Sequence, residues 1–157
     1  MDLNRENLKD KIYIHIGADI LLNYIKPVEN EKWSAKPLGG FWSSPYAPSS
    51  EDNFKCDWER FLAQENYIRD RANTYFLFKL KNNANILKLQ NKRDIEFCRK
   101  QGFILDEGDI VILDFELISK SGYDGIYYEF NDYLQYLIRG WDCDSLVLFN
   151  LDKIKVI

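Results

Sequence analysis

The segment from Lys36 to Pro45 (KPLGGFWSSP) constrains the fold more than any other stretch of the chain. Its two prolines restrict the backbone and bias the residues before them towards extended geometry, which excludes a helix. The glycine pair gives the backbone freedom and lets another molecule approach it closely, and Phe41 and Trp42 add large flat apolar surfaces. The segment is therefore predicted to be a short exposed strand, entered and left by turns, that can hold a flat ligand.

Length and composition indicate a folded protein. The chain has 157 residues, of which 46% are hydrophobic and 15% aromatic, enough for one domain spanning 1–157 and unlike a disordered segment. No stretch approaches the roughly 18 uninterrupted apolar residues of a membrane span, and the polar N-terminal segment lacks the apolar core of a signal peptide. We therefore expect a soluble cytoplasmic protein with no membrane partner. The sequence gives no signal for an oligomeric state.

Charge and cysteine content exclude further classes. A net charge of −4 gives no broad positive field for sequence-independent binding of nucleic acid, although it leaves a local basic cleft open. The three cysteines are widely spaced and odd in number, which suits neither a disulfide framework nor a zinc site. Cys56, Cys98 and Cys143 are predicted to be buried or inert thiols, and no metal site is expected.

Short strands and short helices follow one another without a regular βαβ repeat, which predicts a mixed α+β domain. The predicted strands are Lys11–Gly17, Thr74–Leu80, Asn85–Leu89, Asp124–Phe130, Asp144–Asn150 and Ile154–Ile157. The predicted helices are Ala18–Ile25, Asn53–Tyr67, Lys92–Gln101 closed by Gly102, Asp114–Ser121 and Asp132–Arg139. Ser49 or Ser50 is expected to cap the second helix. The face of this helix that carries Trp58 and Phe61 is expected to pack inward. The stretch Phe103–Leu113 is ambiguous.

Two aromatic residues are the first candidates for a site. His15 alternates with isoleucines on the first predicted strand, and a neutral imidazole there can make one directed hydrogen bond, for example to a sugar hydroxyl. The alternative is a half-buried histidine bonded to the backbone. For Trp42 the alternative is ordinary core or turn packing.

A pair of carboxylates precedes the last apolar strand. Residues two apart on a strand point the same way, so Asp142 and Asp144 both face one cleft if the strand has begun by Asp142. Carboxylates in such a position stabilise positive charge that develops on a ribose carbon. The alternative for Asp142 is a residue that closes the turn after Gly140.

The order of these pieces resembles the ADP-ribosyltransferase superfamily, in its diphtheria-toxin and poly-ADP-ribose-polymerase branch. A His-x-Gly strand comes first, a Gly-Gly-Phe-Trp-Ser strand follows, and an acid heads an apolar strand near the C-terminus. The sequence Asp-Ser-Leu-Val-Leu-Phe-Asn looks like the family's Glu-Tyr-Ile-Val-Tyr-Asp. The family's histidine strand reads His-Gly, its second position is tyrosine and its third is glutamate, whereas this chain has His-Ile-Gly, Trp42 and Asp144.

The resemblance implies split mixed β-sheets with short flanking helices around an NAD cleft. His15 would contact the adenine-side ribose, Ile16 or Gly17 would hold the nicotinamide amide through the backbone, and Trp42 would stack on the nicotinamide ring. The residues around that tryptophan, namely Gly40, Phe41, Ser43 and Ser44, would complete the NAD site. Asp144 would be the catalytic carboxylate together with His15, and Glu129 is the alternative acid.

Three functional hypotheses follow. The first is an NAD-dependent mono-ADP-ribosyltransferase that modifies a protein or nucleic-acid target. The second is a catalytically inactive relative that serves as a binding or inhibitory module, for example a toxin or phage effector, because the tyrosine and glutamate positions are substituted. The third is an unrelated α+β domain in which Trp42 and Trp141 belong to the core.

Overall fold

The computed structural model describes residues 7–17, 25–31, 34–65 and 74–157. The predicted helix Ala18–Ile25 lies outside the described residues, apart from Ile25, and so do the last two positions of the helix predicted over Asn53–Tyr67.

The described residues form nine strands and four helices, all of them short. The strands are β1 (Tyr13–Ile16), β2 (Phe41–Pro45), β3 (Tyr75–Leu80), β4 (Ile86–Leu89), β5 (Ile104–Glu107), β6 (Val111–Leu113), β7 (Gly125–Tyr128), β8 (Ser145–Leu148) and β9 (Ile154–Val156). The helices are α1 (Asp57–Gln64), α2 (Lys92–Gln101), α3 (Phe115–Lys120) and α4 (Asp132–Leu137). The predicted α+β class is confirmed, and the ambiguous stretch Phe103–Leu113 forms a hairpin of β5 and β6.

Seven of these strands form one curled sheet in the order β4-β7-β8-β2-β1-β3-β9. Neighbouring strands are antiparallel except for β4 and β7, which are parallel, so the sheet is mixed. The strands β3 and β4, predicted on either side of a turn, do not pair with each other and lie in different halves of the sheet.

The prediction that the strand after the glycine pair is exposed was wrong. Strand β2 lies in the middle of the sheet between β8 and β1, and Phe41 is buried. Successive residues of a strand point to opposite faces, so Phe41 and Trp42 send one aromatic ring to each side. Since both faces of the sheet carry a hydrophobic cluster, an edge position would have left one of these rings in water.

The two faces bury different sets of residues. One cluster contains Ile126, Tyr128, Val147 and Trp141 together with side chains of α2, α3, α4 and the β5–β6 hairpin. The other contains Tyr127, Leu146 and Leu148 with an aromatic group made of Tyr13, Phe41, Phe76 and Phe78. Strands β7 and β8 are therefore buried on both faces, which explains the nearly unbroken apolar run of β8.

The sheet is least connected between β1 and β2. These strands share only the residue pairs Tyr13↔Pro45 and Ile14↔Ser44, whereas β1 shares four pairs with β3 and β2 shares three with β8. The end of β1 thus pairs with β3 alone, and the start of β2 pairs with β8 alone. The sheet is therefore open between β1 and β2 beyond these two residue pairs.

The local capping signals explain the helix boundaries. In α2 the Asn91 side chain accepts from Asp94 N, the Asp94 side chain accepts in return, and Gly102 ends the helix with φ 76°, as predicted. Helix α1 begins at Asp57 and not at Asn53, and Cys56, the residue before it, makes no side-chain cap. Ser49, one of the two predicted caps, instead accepts from Glu51 N in a local turn, so the chain stays non-helical there.

The face of α1 predicted to pack inward, with Trp58 and Phe61, is only half-buried. The buried side chain of this helix is that of Glu59. That carboxylate accepts from Lys55 N and pairs with Lys55 Nζ at 3.4 Å, which compensates its burial. Within the residues described, no helix has both the length and the apolar composition needed to cross a membrane.

Candidate functional site

A cavity of about 260 Å³ lies where β1 and β2 part. Its walls contain Ile14, His15 and Ile16 from β1 and Trp42, Ser43 and Ser44 from β2. Four further segments close it: Lys36 comes from the loop before β2, Trp58 from α1, Trp141 and Asp142 from the turn before β8, and Ser145 from the start of β8. Aromatic, charged and hydroxyl side chains from separate segments of the chain thus meet at one place.

Three tryptophans line the cavity, and two of them are fixed by hydrogen bonds. Trp42 Nε1 donates to Gly39 O at 3.0 Å, and Trp141 Nε1 donates to Ala35 O at 2.9 Å. The two rings lie 5.1 Å apart, and Trp141 also stacks on Tyr128 at 4.9 Å. Trp58, which comes from α1, stacks on Phe61 at 5.5 Å. With their polar nitrogens bonded, Trp42 and Trp141 present apolar ring surface to a ligand.

The His15 side chain makes a hydrogen bond where the backbone hydrogen bonds between β1 and β2 are missing. Tyr46 N donates to Ile12 O, and bonded pairs alternate along an antiparallel ladder, so Ile16 and Trp42 would be a bonded pair if the ladder continued. Instead the carbonyl of Trp42 lies 2.7 Å from Nδ1 of His15. A carbonyl only accepts, so Nδ1 carries the hydrogen and Nε2 is the acceptor of the neutral ring.

The imidazole is half-buried and packed between aromatic rings. It stacks on Phe41 at 4.2 Å and contacts Phe76 at 5.5 Å. Burial lowers the pKa of His15, and the hydrogen bond to Trp42 raises it by less, so the ring is neutral at pH 7. Because Phe41 and Trp42 point to opposite faces of β2, the His15 ring and the Trp42 ring also lie on opposite faces, joined through the Trp42 carbonyl.

The two serines of β2 line the cavity with hydroxyls that are already donating. Ser43 Oγ donates to Leu146 O at 3.1 Å, and Ser44 Oγ donates to Asp144 O at 3.0 Å. Each hydroxyl oxygen keeps acceptor capacity for a ligand. The serines therefore tie β2 to β8 beside the cavity.

The carboxylate in the cavity wall is Asp142, whereas the predicted catalytic residue Asp144 is absent from that wall. Asp144 Oδ1 accepts from Phe130 N at 2.7 Å, and burial raises the pKa of its half-buried carboxyl, with smaller contributions from Asp57 and Glu129. Tyr128 pairs with Ser145, so Glu129 and Asp144, the next residue on each strand, lie side by side. The two predicted acids are together, but outside the cavity.

The remaining predicted cofactor residues fall into two groups. Ile16 lines the cavity with His15, Trp42 and the serines, whereas Gly17, Gly40 and Phe41 do not. The glycine pair was expected to admit another molecule, but the close neighbours belong to the same chain. A Cβ at Gly39 would lie 2.2 Å from Pro27 O, and one at Gly40 would lie 2.8 Å from Val147 Cγ2.

Six residues of the wall were not among the predicted site residues, although Asp142 was considered as one of the paired carboxylates: Ile14, Lys36, Trp58, Trp141, Asp142 and Ser145. The Trp-Asp-Cys-Asp motif contained a signal for Asp142, as one of two carboxylates on alternate residues. It contained none for Trp141, because adjacent residues of an extended segment point to opposite faces. Nothing in the local pattern connects Lys36 or Trp58 with that motif. The three cysteines are buried and free, as predicted, and burial raises the pKa of each thiol.

Within the described part of the chain, no three His, Cys, Asp or Glu side chains are grouped in a way that would hold a metal ion. Comparisons with protein-family models, with curated proteins and with solved structures found no match to this chain.

Proposed function

We propose that this chain is an NAD-dependent mono-ADP-ribosyltransferase that binds the nicotinamide end of NAD in the cavity between β1 and β2. The observation that carries the proposal is the opening of the sheet after the pair Ile14↔Ser44, because it brings His15 and Trp42 to one cavity. These are two of the three residues on which the resemblance to ADP-ribosyltransferases depends. The split-sheet fold of that superfamily belongs to the same proposal.

The lining of the cavity suits the chemistry of this ligand. A planar ring can stack on the indole of Trp42, Trp58 or Trp141. On the other face of β2, Nε2 of the neutral His15 can accept from a hydroxyl of the adenine-side ribose, the contact that the resemblance implies. The volume of about 260 Å³ is at the lower limit of ligand sites, which usually span about 300–1,000 Å³. The cavity therefore holds the nicotinamide and its ribose, and the adenosine half lies outside.

In the transfer step, the bond between nicotinamide and ribose breaks, and its electron pair leaves with nicotinamide. The ribose carbon becomes an oxocarbenium-like centre, which a carboxylate stabilises, and a nucleophile of the protein or nucleic-acid target forms the new bond. Asp144 is the carboxylate that the resemblance indicates. Asp142 is the better-placed acid, since it lines the cavity whereas Asp144 is held by Phe130 N.

One observation favours the second candidate, a binding module without turnover. The Asp144 carboxylate already has a backbone partner, and Asp142 is engaged with Lys36 Nζ at 3.8 Å. A carboxylate that must stabilise a developing charge acts only if it is aligned with the ribose before reaction. NAD binding without nicotinamide release would support this candidate.

The test measures binding and turnover separately. NAD is titrated while tryptophan fluorescence is followed, and nicotinamide release from labelled NAD is measured with and without cell lysate. We expect quenching that is reduced in Trp42→Phe, and nicotinamide release that falls at least about 100-fold in Asp142→Asn. Asp152→Asn, at an exposed position away from the cavity, is the control.

Each result separates the candidates. Loss of release in Asp144→Asn with full release in Asp142→Asn would assign catalysis to the residue that the resemblance indicates. Binding without release from any variant would leave only the module. No quenching at millimolar NAD in the folded protein would rule out both.

A further inference from the structure

The Lys36 side chain lies across the cavity between two of its walls. Its Nζ is 3.8 Å from Asp142 Oδ2 and 5.9 Å from the centroid of the Trp58 ring. The two charged side chains are 34% and 40% exposed, so the pair lies at the mouth and not in the core. The chain therefore keeps its own ammonium group at the rim of a cavity built from indoles and one carboxylate.

This arrangement stabilises positive charge. A cation over an indole face is attracted by the ring quadrupole, and a neighbouring carboxylate adds Coulomb attraction. Among the described residues of the cavity wall, Lys36 is the only lysine or arginine, and Asp142 already neutralises it. His15 is neutral because burial lowers its pKa. An anionic ligand would thus meet no uncompensated positive charge, whereas a cationic ligand would take over the contacts of Lys36.

We propose that the cavity selects a planar ring that carries a positive charge, and that Lys36 is an internal competitor for the same position. The proposal rests on the proposed function, and it specifies that the pyridinium form of the ligand binds. The reduced, uncharged ring of the same dinucleotide binds weakly. When the cationic ring enters, Lys36 Nζ leaves Trp58 and Asp142 and turns to solvent, for which its long stem is suited.

The test uses two small probes on the full chain: 1-methylnicotinamide, whose methylated ring nitrogen carries the positive charge, and nicotinamide as its uncharged counterpart. Dissociation constants are measured by calorimetry, with tryptophan fluorescence as a second readout. We expect the cation to bind about 10-fold more tightly than nicotinamide, within the range of cation–π and carboxylate contacts at partly exposed sites. NAD is expected to exceed its reduced form in the same direction.

Variants of Lys36 and Asp142 test the competitor role. Lys36→Met keeps the apolar stem, removes the ammonium, and should strengthen binding of the cation about 3- to 10-fold while leaving nicotinamide unchanged. Asp142→Asn should reduce the preference for the cation. Lys120→Met, at an exposed position on α3, is the matched control and should change neither probe.

Lys36→Gln serves as a second variant, and a thermal melt of each variant verifies folding. Equal affinity for the two probes would overturn the inference and leave NAD binding intact. Weaker cation binding in both Lys36 variants would also overturn it, because Lys36 would then be a ligand contact. If neither probe nor NAD binds to the folded protein, the proposed function itself fails.

Discussion

Two junctions of the same sheet differ in how completely they are paired. Strands β7 and β8 share four residue pairs and are buried on both faces, while β1 and β2 share two pairs before they part. At the first junction the ladder and the two hydrophobic clusters leave no room for a ligand. At the second, His15 and Ile16 of β1 do not pair across the junction with Phe41, Trp42 and Ser43 of β2, and all of these residues except Phe41 line the cavity.

The two junctions contribute differently: the paired junction stabilises the fold, and the open junction forms the candidate site. Burial of apolar side chains drives folding and works best where strands are paired throughout. Directed contacts with a ligand need polar groups and space, and these occur where the ladder stops. At the open junction the Trp42 carbonyl still has a hydrogen-bond donor, because the His15 side chain supplies the donor that the backbone of β1 no longer provides.

The largest expected effect concerns Trp141, a residue of the cavity wall whose ring also packs on Tyr128 of the fully paired strand β7. Trp141 is 2% exposed and stacks on Tyr128, so Trp141→Ala should lower the free energy of unfolding by about 3–5 kcal/mol in urea titrations. Trp58→Ala removes a half-buried ring from the cavity wall and should cost less than half as much. Equal losses would show that packing against the fully paired strands adds no stability beyond that of an ordinary residue of the cavity wall.

A smaller effect is expected from the pH dependence of the open junction. Burial lowers the pKa of His15 from 6.5, so the unfolded chain takes up a proton before the folded chain does as the pH falls. Stability is therefore fully present above about pH 6.5 and decreases as the pH falls from there to the folded pKa. His15→Gln should flatten this change between pH 7.5 and 5.5 in chemical denaturation experiments.

This readout is specific because His15 is the single histidine of the chain. An unchanged slope in His15→Gln would show that the imidazole is not buried as described. Gln keeps an amide donor for the Trp42 carbonyl, so loss of folding is not expected.

The smallest expected effect is that of the Asp144 charge on stability. The charged carboxylate destabilises the folded state, because burial favours its neutral form. Burial raises the pKa of its carboxyl from 3.8, so the unfolded chain loses its proton first as the pH rises, and stability decreases between pH 3.8 and the folded pKa. Asp144→Asn keeps an oxygen acceptor for Phe130 N and removes the charge. Thermal melts at pH 7 should give a midpoint equal to or slightly above that of the unchanged chain, and a clear decrease would contradict this account.

The elements that the sequence predicted well are those with strong local signals. Helix α2 has its bounds as expected because Asn91, Asp94 and Gly102 supply the caps within the segment itself. Strand β8 was recognised by its apolar run, and β1 by its alternation. Helix α1 was predicted four residues too early, because Ser49 and Ser50 are equally suited to a turn and to a cap.

The candidate site was predictable only in part. His15, Ile16, Trp42 and the two serines of β2 do share one cavity, which follows from the pairing of β1 with β2. The choice between Asp142 and Asp144 depends on where β8 begins, and β8 begins at Ser145, so neither acid belongs to the strand. Lys36 and Trp58 reach the cavity through contacts between distant segments, which no local pattern records.

By itself, then, the sequence determined those local conformations that have strong signals, since caps, glycines and alternating side chains act within a few residues. Only the tertiary structure decided that β2 is central, that the ladder between β1 and β2 stops after two pairs, and that Asp142 and not Asp144 lines the cavity. The physical reason is that a shift of one residue in strand register moves every side chain to the other face, and register is set by packing across the whole sheet.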